Sequence, residues 1–217
     1  MEKRKLTKED IDKVRDIEGF PIGTDEDIIA LSDAPYYTAC PNPFIKEFIE
    51  KNGTPYEEET DDYHCEPFAA DVSEGKTDPI YMAHAYHTKV PYKAIVRYIL
   101  HYTNPGDIVF DGFCGTGMTG VAAQSCGHLS NEDQALFKAE IGNVKFGTRK
   151  AVLNDLAPIA GFLADVYNSH VDPFQFEKRL DSLISQVSDE VGWVYETNVS
   201  EDNQLLFGSS KGPINYT

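Results

Sequence analysis

The stretch VFDGFCGTGMTG, Val109 to Gly120, limits the fold more than any other part of the chain. A short apolar run ends in Asp111, three glycines (Gly112, Gly115, Gly117) crowd the next six positions, and an alanine-rich segment follows. That order reads as strand, tight turn and helix. Glycine has no Cβ, so such a turn can take left-handed backbone angles and let a ligand come close to the main chain.

The flanking sequence alternates in the same way. KVPYKAIVRYILHYT repeats apolar residues at three- and four-residue steps, with Pro91 in the first turn, and predicts a helix. NPGD is a turn, IVFD a short buried strand, and MTGVAAQSC a helix stopped by Gly127. The polar stretch from His128 to Thr148 holds a short helix capped by Ser130. KAVLND predicts a second buried strand and APIAGFLADVYN a helix with Pro158 near its start. Helix, strand, helix, strand, helix is the signature of a parallel sheet with covering helices, and in such sheets ligands sit beyond the C-terminal ends of the strands.

The front of the chain is different. LTKEDIDKVRDIEGF predicts a helix capped by Thr7, with Asp10 in the capping-box position, Ile11, Val14 and Ile17 on one side and Gly19 as its stop. EDIIALSDAPYY predicts a short strand at Ile28–Leu31 entering a turn, and NPFIKEFIEKNG a helix with Asn42 as cap. Residues 54–79 show neither period and carry nine acids against one lysine. A solvated loop is the default; an ordered acidic flap anchored by its tyrosines and Phe68 is the alternative. Near the end, Asp172 and Pro173 open a helix with Phe176, Leu180, Leu183, Ile184, Val187 and Val191 as its stripe. The expected organisation is an acidic N-terminal region over 1–85, an α/β core over 86–170, and a helix with a tail over 171–217.

Charge narrows the functions. The net charge is -17, and residues 1–85 carry 9 basic side chains against 21 acidic. Nucleic-acid surfaces are normally basic, because neutralising phosphates supplies most non-specific affinity. Any action on DNA therefore calls for basic surface outside this chain. No stretch approaches the roughly 20 apolar residues of a membrane helix, and MEKRKLTKED lacks the apolar segment of a signal peptide. A cytoplasmic protein is expected. Cys40, Cys65, Cys114 and Cys126 show no paired spacing, and Cys40, His64, Cys65, His84 and His87 form no metal-ligand pattern, so reduced thiols and no metal are expected.

The ligand at the glycine turn follows from what the turn lacks and holds. No lysine follows Gly117 or Gly120, which excludes a P-loop. GTGMTG satisfies the dinucleotide expression, but a carboxylate beside a pyrophosphate is unfavourable, whereas beside an ammonium or sulfonium it is favourable. Asp111 points to a cationic cofactor.

VFDGFCGTGMTGVAA resembles the first motif of the amino-directed DNA methyltransferases, D-P-F-x-G-[ST]-G-[TM]-T, where S-adenosylmethionine binds. Asp111, Phe113, Gly115, Thr116, Gly117 and Thr119 match it, and Gly112 replaces the usual proline. YHTKVP resembles the family's preceding H-P-x-x-[KR]-P segment, with Tyr86-His87 in place of His-Pro and the basic residue shifted by one; this puts Thr88, Lys89 and Pro91 near the methionine carboxylate. AVLNDLAPIA resembles the end of the second strand, which assigns Asp155 to the ribose hydroxyls. The resemblance covers residues 80–170. It implies a partial Rossmann-like class I methyltransferase fold, with S-adenosylmethionine as cofactor and transfer to adenine or cytosine amino groups in DNA, as in restriction-modification systems.

The family's catalytic [DNS]-P-P-[YF] has one candidate, Asp33-Ala34-Pro35-Tyr36, with Asp33 as acceptor for the amine's protons and Tyr36 as the ring that stacks on a flipped base. The competing reading is an Asp-x-Pro turn. With two central strands in place of the seven of a complete sheet, the chain is expected to be an N-terminal, cofactor-binding portion of a longer enzyme. An RNA amino-methyltransferase, a non-catalytic acidic subunit imitating DNA, and a nicotinamide enzyme are the alternatives.

Overall fold

Local signals start most of the elements. In the computed structural model, which describes residues 4–32, 38–198 and 211–213, Thr7 opens α1 (Lys8–Asp12) through the expected capping box. The Thr7 N–H and hydroxyl donate to Asp10 Oδ2 at 2.9 and 3.0 Å. Turns carry the chain on, so Ile11 and Val14 are buried while Ile17 is half exposed. The strand expected at Ile28–Leu31 is instead part of a helix, α2 (Asp25–Ala30). Thr24 caps it, accepting from the Asp27 N–H at 3.2 Å, and three acids in its first turn favour the positive end of the helix dipole. α1, α2, Phe20, Cys40 and Phe44 enclose a small apolar cluster.

α3 (Ile45–Asn52) is preceded by Asn42, whose Oδ1 accepts from the Phe44 N–H at 2.9 Å, and Gly53 ends it. The chain then runs without regular structure to α4 (Pro79–Met82). This acidic stretch is ordered rather than merely solvated, as the alternative reading had it. It lies antiparallel along α5 (Tyr92–Tyr102). The Tyr63 hydroxyl donates to the Tyr102 carbonyl at 3.0 Å. The Phe68 N–H donates to the Tyr102 hydroxyl at 2.8 Å, and Phe68 stacks on His101 at 4.9 Å. Tyr98 exchanges two 3.1 Å hydrogen bonds with the Ala70 backbone. Glu74 pairs with Arg97, which also holds Glu140 at 2.8 Å.

The middle of the chain alternates as expected: β1 (Ile108–Asp111), α6 (Met118–Ser125), α7 (Asn131–Ile141), β2 (Lys150–Leu153) and α8 (Pro158–Asn168). β1 and β2 are parallel, with Val109 opposite Ala151 and Asp111 opposite Leu153. Val109 and Ala151 pack with Val96, Ile99 and Leu100 of α5, Ala122 and Ala123 of α6, and Cys126, the C-cap of α6. Removing such groups from water is the main favourable contribution to the unit. The polar insertion turns out to be structural, because Phe137 of α7 is buried in the same core. The strands are less enclosed than expected: Phe110, on the opposite face, is 71% exposed.

The chain divides into two compact units, Met1–Ser169 and His170–Thr217. The second contains α9 (Pro173–Val191), a 3-10 turn (Gly192–Tyr195) and the antiparallel strands β3 (Glu196–Asn198) and β4 (Lys211–Pro213). Asp172 caps α9, as expected, and the apolar stripe of that helix is exposed. No helix among the described residues is long and apolar enough to cross a membrane.

Candidate functional site

Two parallel strands ending side by side bring Asp111 and Asp155 to one place. Asp111 closes β1; its Oδ1 accepts from the Phe113 N–H at 3.1 Å and its Oδ2 from the Thr119 hydroxyl at 2.5 Å. The first contact shapes the turn, and the second ties it to the first turn of α6, where the helix dipole favours an anion. Asp155, just beyond β2, accepts from the Gly115 N–H through Oδ2 at 2.9 Å and from the Ala157 N–H through Oδ1 at 2.9 Å. Each carboxylate oxygen has two lone pairs, so each of these oxygens keeps accepting capacity. Among the described residues, neither Asp111 nor Asp155 has a lysine or arginine partner.

The glycines of the turn have separate tasks. Gly115 (φ 53°) and Gly117 (φ 76°) are in the left-handed region, which other residues occupy at a cost of roughly 1–2 kcal/mol. A Cβ on Gly117 would stand 2.7 Å from the Ala164 Cβ, and one on Gly115 would stand 3.2 Å from the ring of Tyr86. Gly117 therefore lets α8 pack against the turn, whereas Gly115 keeps the turn open toward Tyr86.

In front of the turn is a cavity of about 100 Å³ whose walls include Tyr86, Thr88, Lys89, Asp111, Phe113 and Thr116. The structure thus brings together Thr88, Lys89, Asp111, Phe113, Gly115 and Thr116 around one space. Gly117 and Asp155 stand beside it through the turn, and Pro91 is the N-cap of α5, just past Lys89 and Val90. Thr116 is 1% exposed and its hydroxyl has no hydrogen-bond partner among the described residues. Phe113 is 90% exposed. Burial, with Asp111 and Asp155 adding to it, pushes the Cys114 thiol up to about 11, so this cysteine is a neutral part of the wall. Asp33, Pro35 and Tyr36 lie outside the described residues.

Sequence reasoning missed several members of the site. The Asn154 N–H donates to the Asp111 carbonyl at 2.9 Å, its carbonyl accepts from Cys114 at 2.9 Å, and its side chain donates to the Gly112 carbonyl at 3.1 Å. Asn168, at the end of α8, donates through Nδ2 to the Gly117 carbonyl at 3.0 Å. Asn154 stands next to Asp155 in sequence and could have been suspected; Asn168 is 51 residues from the turn and gave no signal.

The donor set fits a ligand that is cationic near one end and anionic near the other. Among the described residues Asp111 has no cationic partner and Lys89 no carboxylate partner, yet both line the same cavity. The unpartnered Thr116 hydroxyl is a further polar group without an internal use. A family model described as DNA methylase matches residues 20–130, just over half of the 217. The match takes in α3, the acidic stretch, α5, β1 and the glycine turn, and ends before β2. No curated protein and no solved structure matches the chain.

Proposed function

The chain belongs to the DNA methylase family, and we propose that it serves transfer of a methyl group from S-adenosylmethionine to an exocyclic amino group of adenine or cytosine in DNA. The observation that carries this reading is the glycine turn held between two carboxylates, Asp111 and Asp155, neither neutralised by a basic side chain among the described residues. Bound there, S-adenosylmethionine supplies a methyl group activated by a sulfonium.

In this reading Asp111 offers negative charge to the sulfonium side of the ligand. Asp155 holds the Gly115 N–H with one lone pair of Oδ2 and accepts from the ribose hydroxyls with the capacity that remains. The Thr116 hydroxyl, buried with no internal partner, gains one in the ligand. Thr88, Lys89 and Pro91 border the carboxylate end. Asp33 and Tyr36 are assigned to the amine and the base, with Pro35, whose ring restricts its own backbone, between them in sequence. Phosphate contacts come from basic surface on another domain or subunit of a modification system, since this chain has 36 acids against 19 basic residues.

Calorimetry with S-adenosylmethionine and S-adenosylhomocysteine tests the site. Binding is expected in the wild type, lost in Asp111→Ala and weakened in Asp155→Ala. Unchanged affinity in both variants overturns the assignment. Transfer of a labelled methyl group to unmethylated DNA, with RNA as the comparison, then tests the substrate.

A further inference from the structure

Lys89 is held in an unusual way for a lysine at a binding site. Its ammonium donates to the carbonyls of Tyr81 and His84, stands 4.7 Å from the centre of the Tyr81 ring, and lies 6.0 Å from the centre of the Tyr167 ring. The Tyr81 hydroxyl returns a hydrogen bond to the Lys89 carbonyl at 3.3 Å, so residues 81 and 89 clamp each other. No carboxylate pairs with Lys89 among the described residues.

Carbonyls and ring faces differ from a carboxylate in one respect that matters here. They fix the position of an ammonium without cancelling its charge. An ammonium has three N–H donors, of which two are used by the carbonyls, leaving one for a ligand, and Lys89 is among the residues that line the cavity. Burial draws the Lys89 ammonium below its ordinary value, as expected for a cation kept partly from water with no counter-charge. An anion arriving at the third N–H relieves that cost.

We propose that Tyr81 and Tyr167 are positioning residues that hold Lys89 as an uncompensated cation for the carboxylate of the ligand bound at the glycine turn. Tyr81 comes from α4 and Tyr167 from α8, so the cage fastens the segment before α5 to the helix after β2. The rings carry the effect. The Tyr167 hydroxyl is buried with no hydrogen-bond partner among the described residues and contributes nothing to it.

The proposal rests on the cofactor reading above, and two ligands separate the two. S-adenosylhomocysteine has the amino-acid carboxylate, and 5′-methylthioadenosine has the same nucleoside and sulfur without it. Calorimetry on the full chain is expected to show that the wild type prefers S-adenosylhomocysteine. Tyr81→Leu and Tyr167→Leu are expected to reduce that preference by roughly tenfold, the loss of one charge-assisted hydrogen bond. Affinity for 5′-methylthioadenosine should stay unchanged, which also shows that the variants fold. Tyr81→Phe and Tyr167→Phe keep the ring and are expected to keep the preference. Leucine variants that retain it, or that weaken both ligands alike, overturn the positioning role while leaving the cofactor reading intact. A wild type that binds neither ligand overturns both.

Discussion

Thr116 carries a buried hydroxyl that costs the chain stability. Its hydroxyl is buried and unpartnered among the described residues, and Thr116 is one of the residues that line the cavity. A buried hydroxyl without a partner costs on the order of 1–3 kcal/mol, and replacing it by a methyl group of the same shape removes that cost. Thr116→Val is therefore expected to raise unfolding stability by about 1 kcal/mol in denaturant titrations without ligand. If the hydroxyl serves the cofactor, the same variant weakens S-adenosylhomocysteine roughly fivefold to tenfold. Greater stability with unchanged affinity would make Thr116 a packing residue and remove it from the binding set. Gly117 is the opposite case, where sequence and structure agree on one need: α8 comes so close that only a residue without Cβ fits.

At the scale of elements, α1 has the clearest pH dependence. The Arg4 guanidinium, at 2.6 Å, holds the Asp10 carboxyl well below the usual carboxylate range, helped by the Thr7 N–H and hydroxyl and by Lys13. A depressed value means that the stabilisation is present above the pH where an unfolded aspartate titrates, about 4, and is lost as pH falls through the folded value. Asp10→Asn is expected to cost about 2 kcal/mol at neutral pH. The gap to the wild type should narrow in acid, and equal gaps at pH 7 and in acid would show that the charge is not what matters. The neighbouring α2 shows why part of the fold was not legible. Ile28 and Ile29 suit a strand or a helix, and the deciding signal is Thr24 with Asp27 three residues on, the same pairing that Thr7 makes with Asp10. The alternation from α5 to α8 was legible because each element carries its own period and stop. The course of the acidic segment was not, because it is fixed by tyrosine hydroxyls on backbone groups 28 to 39 residues away, and these leave no periodic mark. The same reasoning separates Asp111 and Asp155, which motif order revealed, from Asn168, whose role depends on where α8 ends.

The whole molecule is governed by its charge. With a net charge of -17, the folded chain repels itself, and it is expected to repel a polyanion such as DNA for the same reason. Screening shortens the reach of these forces from about 10 Å at 0.1 M salt to about 3 Å at 1 M. Added sodium chloride should therefore raise the thermal midpoint of the isolated chain, most steeply at low ionic strength. Specific stabilising pairs such as Arg97 with Glu74 and Glu140 work against this, but Arg97 is 5% exposed and the solvent screens it less than it screens the surface acids. The same charge sets the expectation for substrate. Alone, the chain should bind S-adenosylhomocysteine without binding duplex DNA at physiological salt, and methyl transfer should appear when a basic partner domain or subunit is supplied. Mobility-shift titrations over a series of salt concentrations decide the point. A DNA affinity that falls steeply with added salt would mean that this chain makes the phosphate contacts itself, and the division between an acidic cofactor unit and a basic DNA-holding partner would have to be given up.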